Sequence, residues 1–206
     1  MRRIIILNFG MGNIISVKNI FDYLGCKTSV SSNYQDIKNF SHIILPGVGS
    51  FKKAMNNLKR LKLNEEIIEQ VTIKKKKILG ICLGMQLLGS SSTENGLCEG
   101  LKLITNEVKK FEDFKFDKLK FPHVGFNNIK IINNKNNFFN EIDDIDNFYF
   151  NHNYFMSIDR FKEDYATCDY GNSFVAAFKK NNLFGVQFHP EKSQSSGLKI
   201  LSNFLS

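Results

Sequence analysis

Ile78-Leu79-Gly80-Ile81-Cys82-Leu83-Gly84-Met85-Gln86-Leu87-Leu88 starts as a short apolar run and continues with helical spacing. Ile78 to Cys82 reads as a buried strand, and a helix begins over Met85 to Leu88 before Gly89 leads into the polar loop Ser90 to Gly96. Strand, turn and helix therefore meet at Cys82. A nucleophile flanked by glycine two residues away on each side is the pattern of a strand-to-helix elbow, and that elbow belongs to α/β folds.

Working outward, the first half repeats the same alternation of apolar runs and amphipathic stretches, the pattern of parallel strands joined by helical crossovers. Ile4 to Asn8, Thr28 to Val30 and His42 to Leu45 read as strands. Asn13 to Leu24 sets Ile14, Val17, Ile20, Phe21 and Leu24 at helical spacing, with Gly25 where a helix stops, and Phe51 to Leu63 can form another helix. The second half is richer in Phe, Tyr and Asn. Its apolar runs at Asn127 to Ile132, Asn147 to Phe150, Phe174 to Phe178 and Leu183 to Phe188 suggest an antiparallel section. Asn133 to Asn137 is expected to be a surface loop, and Leu198 to Leu205 a closing helix.

The 206 residues suffice for one domain with a sizeable core, so residues 1–206 are expected to form a single domain. Hydrophobic residues at 42% exclude the disordered regime. No run approaches the roughly 20 apolar residues of a membrane span, and the short N-terminal run after Arg2 and Arg3 is not a targeting signal, so a cytoplasmic protein is expected. Cysteines 26, 82, 98 and 168 lack CxxC spacing, which argues against zinc and against a disulfide framework. The net charge of +8 is scattered apart from Lys74 to Lys77. That block precedes an apolar strand and reads as a solvated helix end or loop rather than a nucleic-acid site.

Taken alone, Gly80-Ile81-Cys82-Leu83-Gly84 leaves Cys82 balanced between a small core residue and a nucleophile. Phe188-His189-Pro190-Glu191-Lys192-Ser193 shifts the balance, because a strand there ends in a histidine with a carboxylate two residues on. A thiol with pKa near roughly 8.5 is mostly protonated at neutral pH, and a neighbouring imidazole can take its proton and return it to a leaving amine. Glu191 would orient that imidazole and stabilise its charged form. The elbow also aims the Leu83 amide at a developing oxyanion, and the amides of the loop Pro46-Gly47-Val48-Gly49 can supply a second donor. Gly10-Met11-Gly12-Asn13 is not a dinucleotide fingerprint, since Ile15 occupies the third glycine position.

Leu79 to Gln86 and Gly185-Val186-Gln187-Phe188-His189-Pro190-Glu191-Lys192-Ser193 resemble the signature segments of class I (triad) glutamine amidotransferases. Within that class the chain is similar to the glutaminase subunits of imidazole glycerol phosphate synthase, through Asn8 to Asn13, Leu45 to Phe51 and Pro122 to Asn127 as well. The resemblance implies a flavodoxin-like α/β glutaminase domain, with a mostly parallel central sheet, helices on both faces and an added antiparallel section. It implies a Cys82, His189, Glu191 triad and an oxyanion hole from the Val48 and Leu83 amides, with Gly49, Gln86, His152, Asn153 and Tyr154 holding L-glutamine. It implies no cofactor and no metal.

The implied partner is a cyclase subunit with a β/α barrel, joined as a heterodimer and facing Asn13, Phe126 and Lys192; it receives the ammonia for histidine biosynthesis. Phe126 stands where tryptophan is common in that group, and Asn153 where a small hydroxyl residue is usual. Three other readings share the elbow: a paralogous glutaminase feeding amidation of a bacterial surface sugar, a cysteine peptidase or hydrolase, and an inactive binding module.

Overall fold

Apolar residues alternate along Arg3–Leu7 so that Ile4 and Ile6 enter one hydrophobic core while Ile5 and Leu7 enter another. A strand buried on both faces in this way needs helices above and below it. The computed structural model describes residues 2–111, 119–159 and 161–206. Its elements begin β1 (Arg3–Leu7), α1 (Ile14–Tyr23), β2 (Lys27–Ser31), β3 (His42–Leu45), α2 (Phe51–Arg60), α3 (Leu63–Thr72), β4 (Lys77–Ile81) and α4 (Leu83–Leu87). They continue with β5 (Ser91–Ser92), β6 (Cys98–Glu99), β7 (Glu107–Lys110), β8 (His123–Asn128), β9 (Lys130–Asn133) and β10 (Asn147–His152). The last are β11 (Tyr154–Met156), β12 (Asp164–Tyr170), β13 (Asn172–Lys180), β14 (Leu183–Val186) and α5 (Gln194–Leu205).

The main sheet has the order β2-β1-β3-β4-β14-β13-β12-β9. Its first five strands are parallel, and β13, β12 and β9 continue it antiparallel. The expected α/β fold, mostly parallel at its centre with an antiparallel section, is what the chain adopts. Val17 and Phe21 of α1 and Ile200, Leu201 and Phe204 of α5 cover one face. Phe51, Met55 and Leu58 of α2 with Leu63, Ile67 and Val71 of α3 cover the other. Each such side chain contributes about 1.5–3 kcal/mol by leaving water. With no tryptophan in the chain, phenylalanine fills the largest buried volumes, including Phe148, Phe150, Phe174 and Phe188 beside the antiparallel section.

Two expected elements divide. The helix expected over Phe51 to Leu63 is two helices hinged at Lys62, whose φ is 57°. The stripe Phe51, Ala54, Met55, Leu58 would continue through Lys62 and Glu65, whereas the buried residues are Leu63 and Ile67, so the chain must change phase. The run Asn127 to Ile132 is shared between β8, which pairs with β10 in a separate two-stranded sheet, and β9, which joins the edge of the main sheet. Buried Ile129 stands between them. The lysine block lies in the α3 to β4 connection and the start of β4, where the Lys76 ammonium donates to the carbonyls of Ile37 and Lys38 at 3.0 and 2.7 Å. Among the described residues no helix is long and apolar enough to cross a membrane.

Candidate active site

The parallel strands β3, β4 and β14 end side by side, and the chain leaves β4 into Cys82. Cys82 has φ 52° and ψ −110°, a conformation that costs an L side chain about 1–3 kcal/mol and is kept only where its surroundings enforce it. The Cys82 amide donates to the Val186 carbonyl at 2.7 Å, and the Gln86 amide closes the first turn of α4 on the Cys82 carbonyl at 3.2 Å. A side chain at Gly80 would come 2.6 Å from the Gly84 carbonyl oxygen and the Met85 nitrogen, and one at Gly84 would drive into the Leu45 carbonyl. The flanking glycines are required by this close approach.

His189 lies just beyond β14, at the start of the 3-10 turn Pro190–Lys192. Its Nδ1 lies 2.9 Å from Glu191 Oε1, with both side chains buried. Burial alone would lower the imidazole pKa. Hydrogen bonding to Cys82 and Glu191, with their charges, outweighs burial and raises it to about 10. The segment is pinned to β10: the His189 amide donates to the Tyr149 carbonyl at 2.8 Å, and the Tyr149 amide donates to Ser193 Oγ at 3.0 Å. Ser193 Oγ in turn donates to the His189 carbonyl at 2.7 Å.

Cys82 forms part of a cleft of ≈ 380 Å³, at the small end of the range for small-molecule sites. Val48, Gly49, Leu83, Gln86, His152, Asn153 and Tyr154 all line it. Val48 is half exposed, Gly49 has φ +107°, and Leu83 and Gln86 are buried. Both ring nitrogens of His152 are engaged inside the protein. Its Nδ1 donates to the Tyr154 carbonyl at 2.9 Å, which leaves Nε2 to accept from His123 Nδ1 at 3.1 Å. His123 Nε2 then accepts from the side-chain Nδ2 of Asn127 at 2.7 Å. Burial, and for His152 the neighbouring His123, hold these rings neutral, with pKa values lowered to about 3 for His152 and about 4 for His123.

Phe126 and Lys192 converge on Tyr149: the Phe126 ring packs edge-on at 5.4 Å between centroids, and the Lys192 ammonium lies 5.3 Å from the ring centre. Tyr149 is the residue that anchors His189. Asn13 is exposed elsewhere at the cap of α1, accepting from the Ser16 amide at 3.4 Å.

Two residues that sequence reasoning passed over belong to this site. Glu94 is the one carboxylate among the described residues lining the cleft, and it accepts from the Phe51 amide at 2.7 Å, capping α2 where Ser50 makes no side-chain cap. Gln187 is fully buried, with its Nε2 3.6 Å from Cys82 Sγ. A loop glutamate carries no local signal. Gln187 had one, since it lies two residues before His189 in the same conspicuous segment.

Residues 5–206 match the family Glutamine amidotransferase class-I. The chain belongs to the class-I glutamine amidotransferases. It is 43% identical over 204 residues to imidazole glycerol phosphate synthase subunit HisH 1 of Campylobacter jejuni (strain RM1221), covering 98% of each chain. It is 42% identical to subunit HisH of Methanosarcina acetivorans, covering all of this chain and 98% of the relative. Among solved structures, PurLQS from Thermotoga maritima matches with TM-score 0.72 at 19% identity, covering all of this chain and 98% of that one. The glutaminase domain of Trypanosoma brucei CTPS with bound acivicin matches with TM-score 0.65 at 15% identity, covering 100% and 94%. At such identities the two structures speak for the amidotransferase fold alone.

Proposed function

We propose that this amidotransferase is the glutaminase subunit of imidazole glycerol phosphate synthase, a cytoplasmic enzyme of histidine biosynthesis. The observation that carries the reading is a cysteine held at a strained elbow on a cleft wall, with the buried His189–Glu191 pair beside it. Similarity of about 40% along nearly the whole chain to proteins named HisH favours this subunit over other members of the family.

In the reaction, His189 already holds the proton it has drawn from Cys82, and the sulfur anion bonds to the side-chain amide carbon of glutamine while the carbonyl electron pair moves onto oxygen. The amides of Val48 and Leu83 donate to that oxyanion. On collapse the C–N bond breaks, the imidazolium protonates the leaving nitrogen, and ammonia departs. Glu191, by holding His189 toward its charged form, keeps that proton available. Water deprotonated by His189 then attacks the thioester, releasing glutamate and the thiol. Gly49, Gln86 and the segment His152 to Tyr154 enclose the substrate, and the Glu94 carboxylate is the natural acceptor for its ammonium group.

Ammonia passes to a separate cyclase subunit with a β/α barrel, which docks against Asn13, Phe126 and Lys192 as a heterodimer. The link from Phe126 and Lys192 through Tyr149 to the His189 backbone supports that choice of face. The experiment is co-purification with the cyclase and measurement of glutamate release with and without its nucleotide ligand, in wild type and in Cys82→Ala. Wild type is expected to accelerate when partner and ligand are present, and Cys82→Ala to bind the partner without releasing glutamate. Full turnover by Cys82→Ala would remove the thiol from the mechanism. Equal rates for free and complexed subunit would remove the coupling, and failure to bind the cyclase would turn the search toward an enzyme amidating a surface sugar.

A further inference from the structure

Gln187 follows β14 directly, and its backbone amide donates to the Ala176 carbonyl of β13 at 2.7 Å. Its side chain, fully buried, spans from Gln86 to the sulfur: Oε1 is 3.0 Å from Gln86 Nε2, and Nε2 is 3.6 Å from Cys82 Sγ.

The sense of this chain of hydrogen bonds is fixed by one carbonyl. Gln86 Nε2 lies 2.7 Å from the Tyr154 backbone oxygen, which can only accept, so that end of the Gln86 amide must be its NH2 group. Its two hydrogens go to Tyr154 and to Gln187 Oε1. The Gln187 NH2 therefore has to face the sulfur. Turning it over would set two NH2 groups against each other and a carbonyl oxygen against sulfur, leaving buried donors unpaired.

Besides His189, the sulfur meets the Asn151 carbonyl at 3.9 Å, an acceptor that suits the protonated thiol and opposes the anion. The Gln187 N–H suits both protonation states and binds the anion more strongly, because a hydrogen bond to a charged acceptor is the stronger kind. Sulfur carries that charge twice per cycle: when His189 removes its proton before attack, and when it leaves the carbonyl carbon as the thioester hydrolyses.

We infer that the Gln187 carboxamide, oriented by Gln86 and the Tyr154 carbonyl, is a further catalytic group that aims the Cys82 sulfur and stabilises it as an anion. Its role in turnover rests on the reading under Proposed function, but its contact with the sulfur does not. The experiment accordingly reads the thiol with and without glutamine. Gln187→Leu fills the space without a donor, and Gln187→Glu puts an acceptor against the sulfur.

At pH 7.5, alkylation of Cys82 by iodoacetamide, followed on the Cys82 peptide by mass spectrometry, is expected to slow in the order wild type, Gln187→Leu, Gln187→Glu. In the complex with the partner subunit, kcat for glutamate release falls roughly tenfold or more in Gln187→Leu with KM nearly unchanged, since a lost donor acts where charge develops. A purely structural glutamine would lower stability without separating the two variants in alkylation. Alkylation and kcat within twofold of wild type in folded Gln187→Leu would overturn the assignment.

Should both variants fail to fold, the side-chain NH2 resonances of Gln187 in the otherwise unchanged protein decide. They are expected to move on Cys82→Ala and on alkylation, and resonances unaffected by both would overturn the assignment. A wild-type protein that releases no glutamate yet keeps the alkylation order would sink the proposed function and leave the Gln187 contact standing.

Discussion

Cys82 sits where the backbone is strained. The conformation at φ 52° and ψ −110° is disfavoured for any residue with a Cβ, yet glycine adopts it freely. Cys82→Gly should therefore be more stable than Cys82→Ala by about 1 kcal/mol, the relief of roughly 1–3 kcal/mol of strain less the 0.5–1 kcal/mol that glycine costs through the unfolded chain. Thermal melts of the two variants measure the difference. A more stable alanine variant would mean that the elbow stores no strain. The neighbouring glycine allows no such exchange, because a methyl group at Gly84 meets the Leu45 carbonyl, so Gly84→Ala must push α4 off β3 and lose activity with stability.

At the scale of elements, His189 is positioned by strand-like bonding between β10 and the segment that follows β14. Ser193 Oγ both accepts from Tyr149 and donates to His189, and it is buried. Ser193→Ala leaves the partly buried Tyr149 N–H unpaired, which costs about 1 kcal/mol, and loosens the turn that holds the His189 backbone. Melting temperature and kcat should fall together, with KM less affected, and a variant of wild-type kcat would show that the turn holds itself.

This stitching was not legible in the sequence, where Ser193 is only the last letter of a recognisable segment. The elbow and the parallel strands were legible because glycine spacing and apolar runs are local signals. The Lys62 hinge, the split at Ile129 and β12 were not, since each depends on which distant surface a residue is buried against. Strand β12 carries Asp164, Thr167 and Asp169 among its apolar residues, and only pairing with both β13 and β9 makes it a strand. Glu94 was hidden for the same reason: its cap on α2 reaches across 43 residues.

For the whole molecule, the histidines set the acid limit of stability. Of the four, His42, His123 and His152 are buried and held neutral; burial lowers His42 and His123 to about 4 and His152 to about 3, against 6.5 in the unfolded chain. Between these values the unfolded chain binds three protons that the native state refuses, so stability falls as pH drops from 6.5 toward 4. The steepest slope is roughly 4 kcal/mol per pH unit, at about 1.4 for each group. His189 does not compensate. Its pKa is raised to about 10, so its contribution is complete below 6.5 and is lost only as pH rises through 10.

Denaturant titrations from pH 7.5 to 5.0 should therefore show a steep loss of stability below pH 6.5. His42 gives the cleanest control, because its Nε2 is buried without a hydrogen-bond partner among the described residues and its ring rests edge-on against Phe204. His42→Leu should retain stability at pH 7.5 and reduce the acid slope by about a third. A stability that stays level down to pH 5, or an undiminished slope in His42→Leu, would mean that the buried histidines gain protons without unfolding the protein.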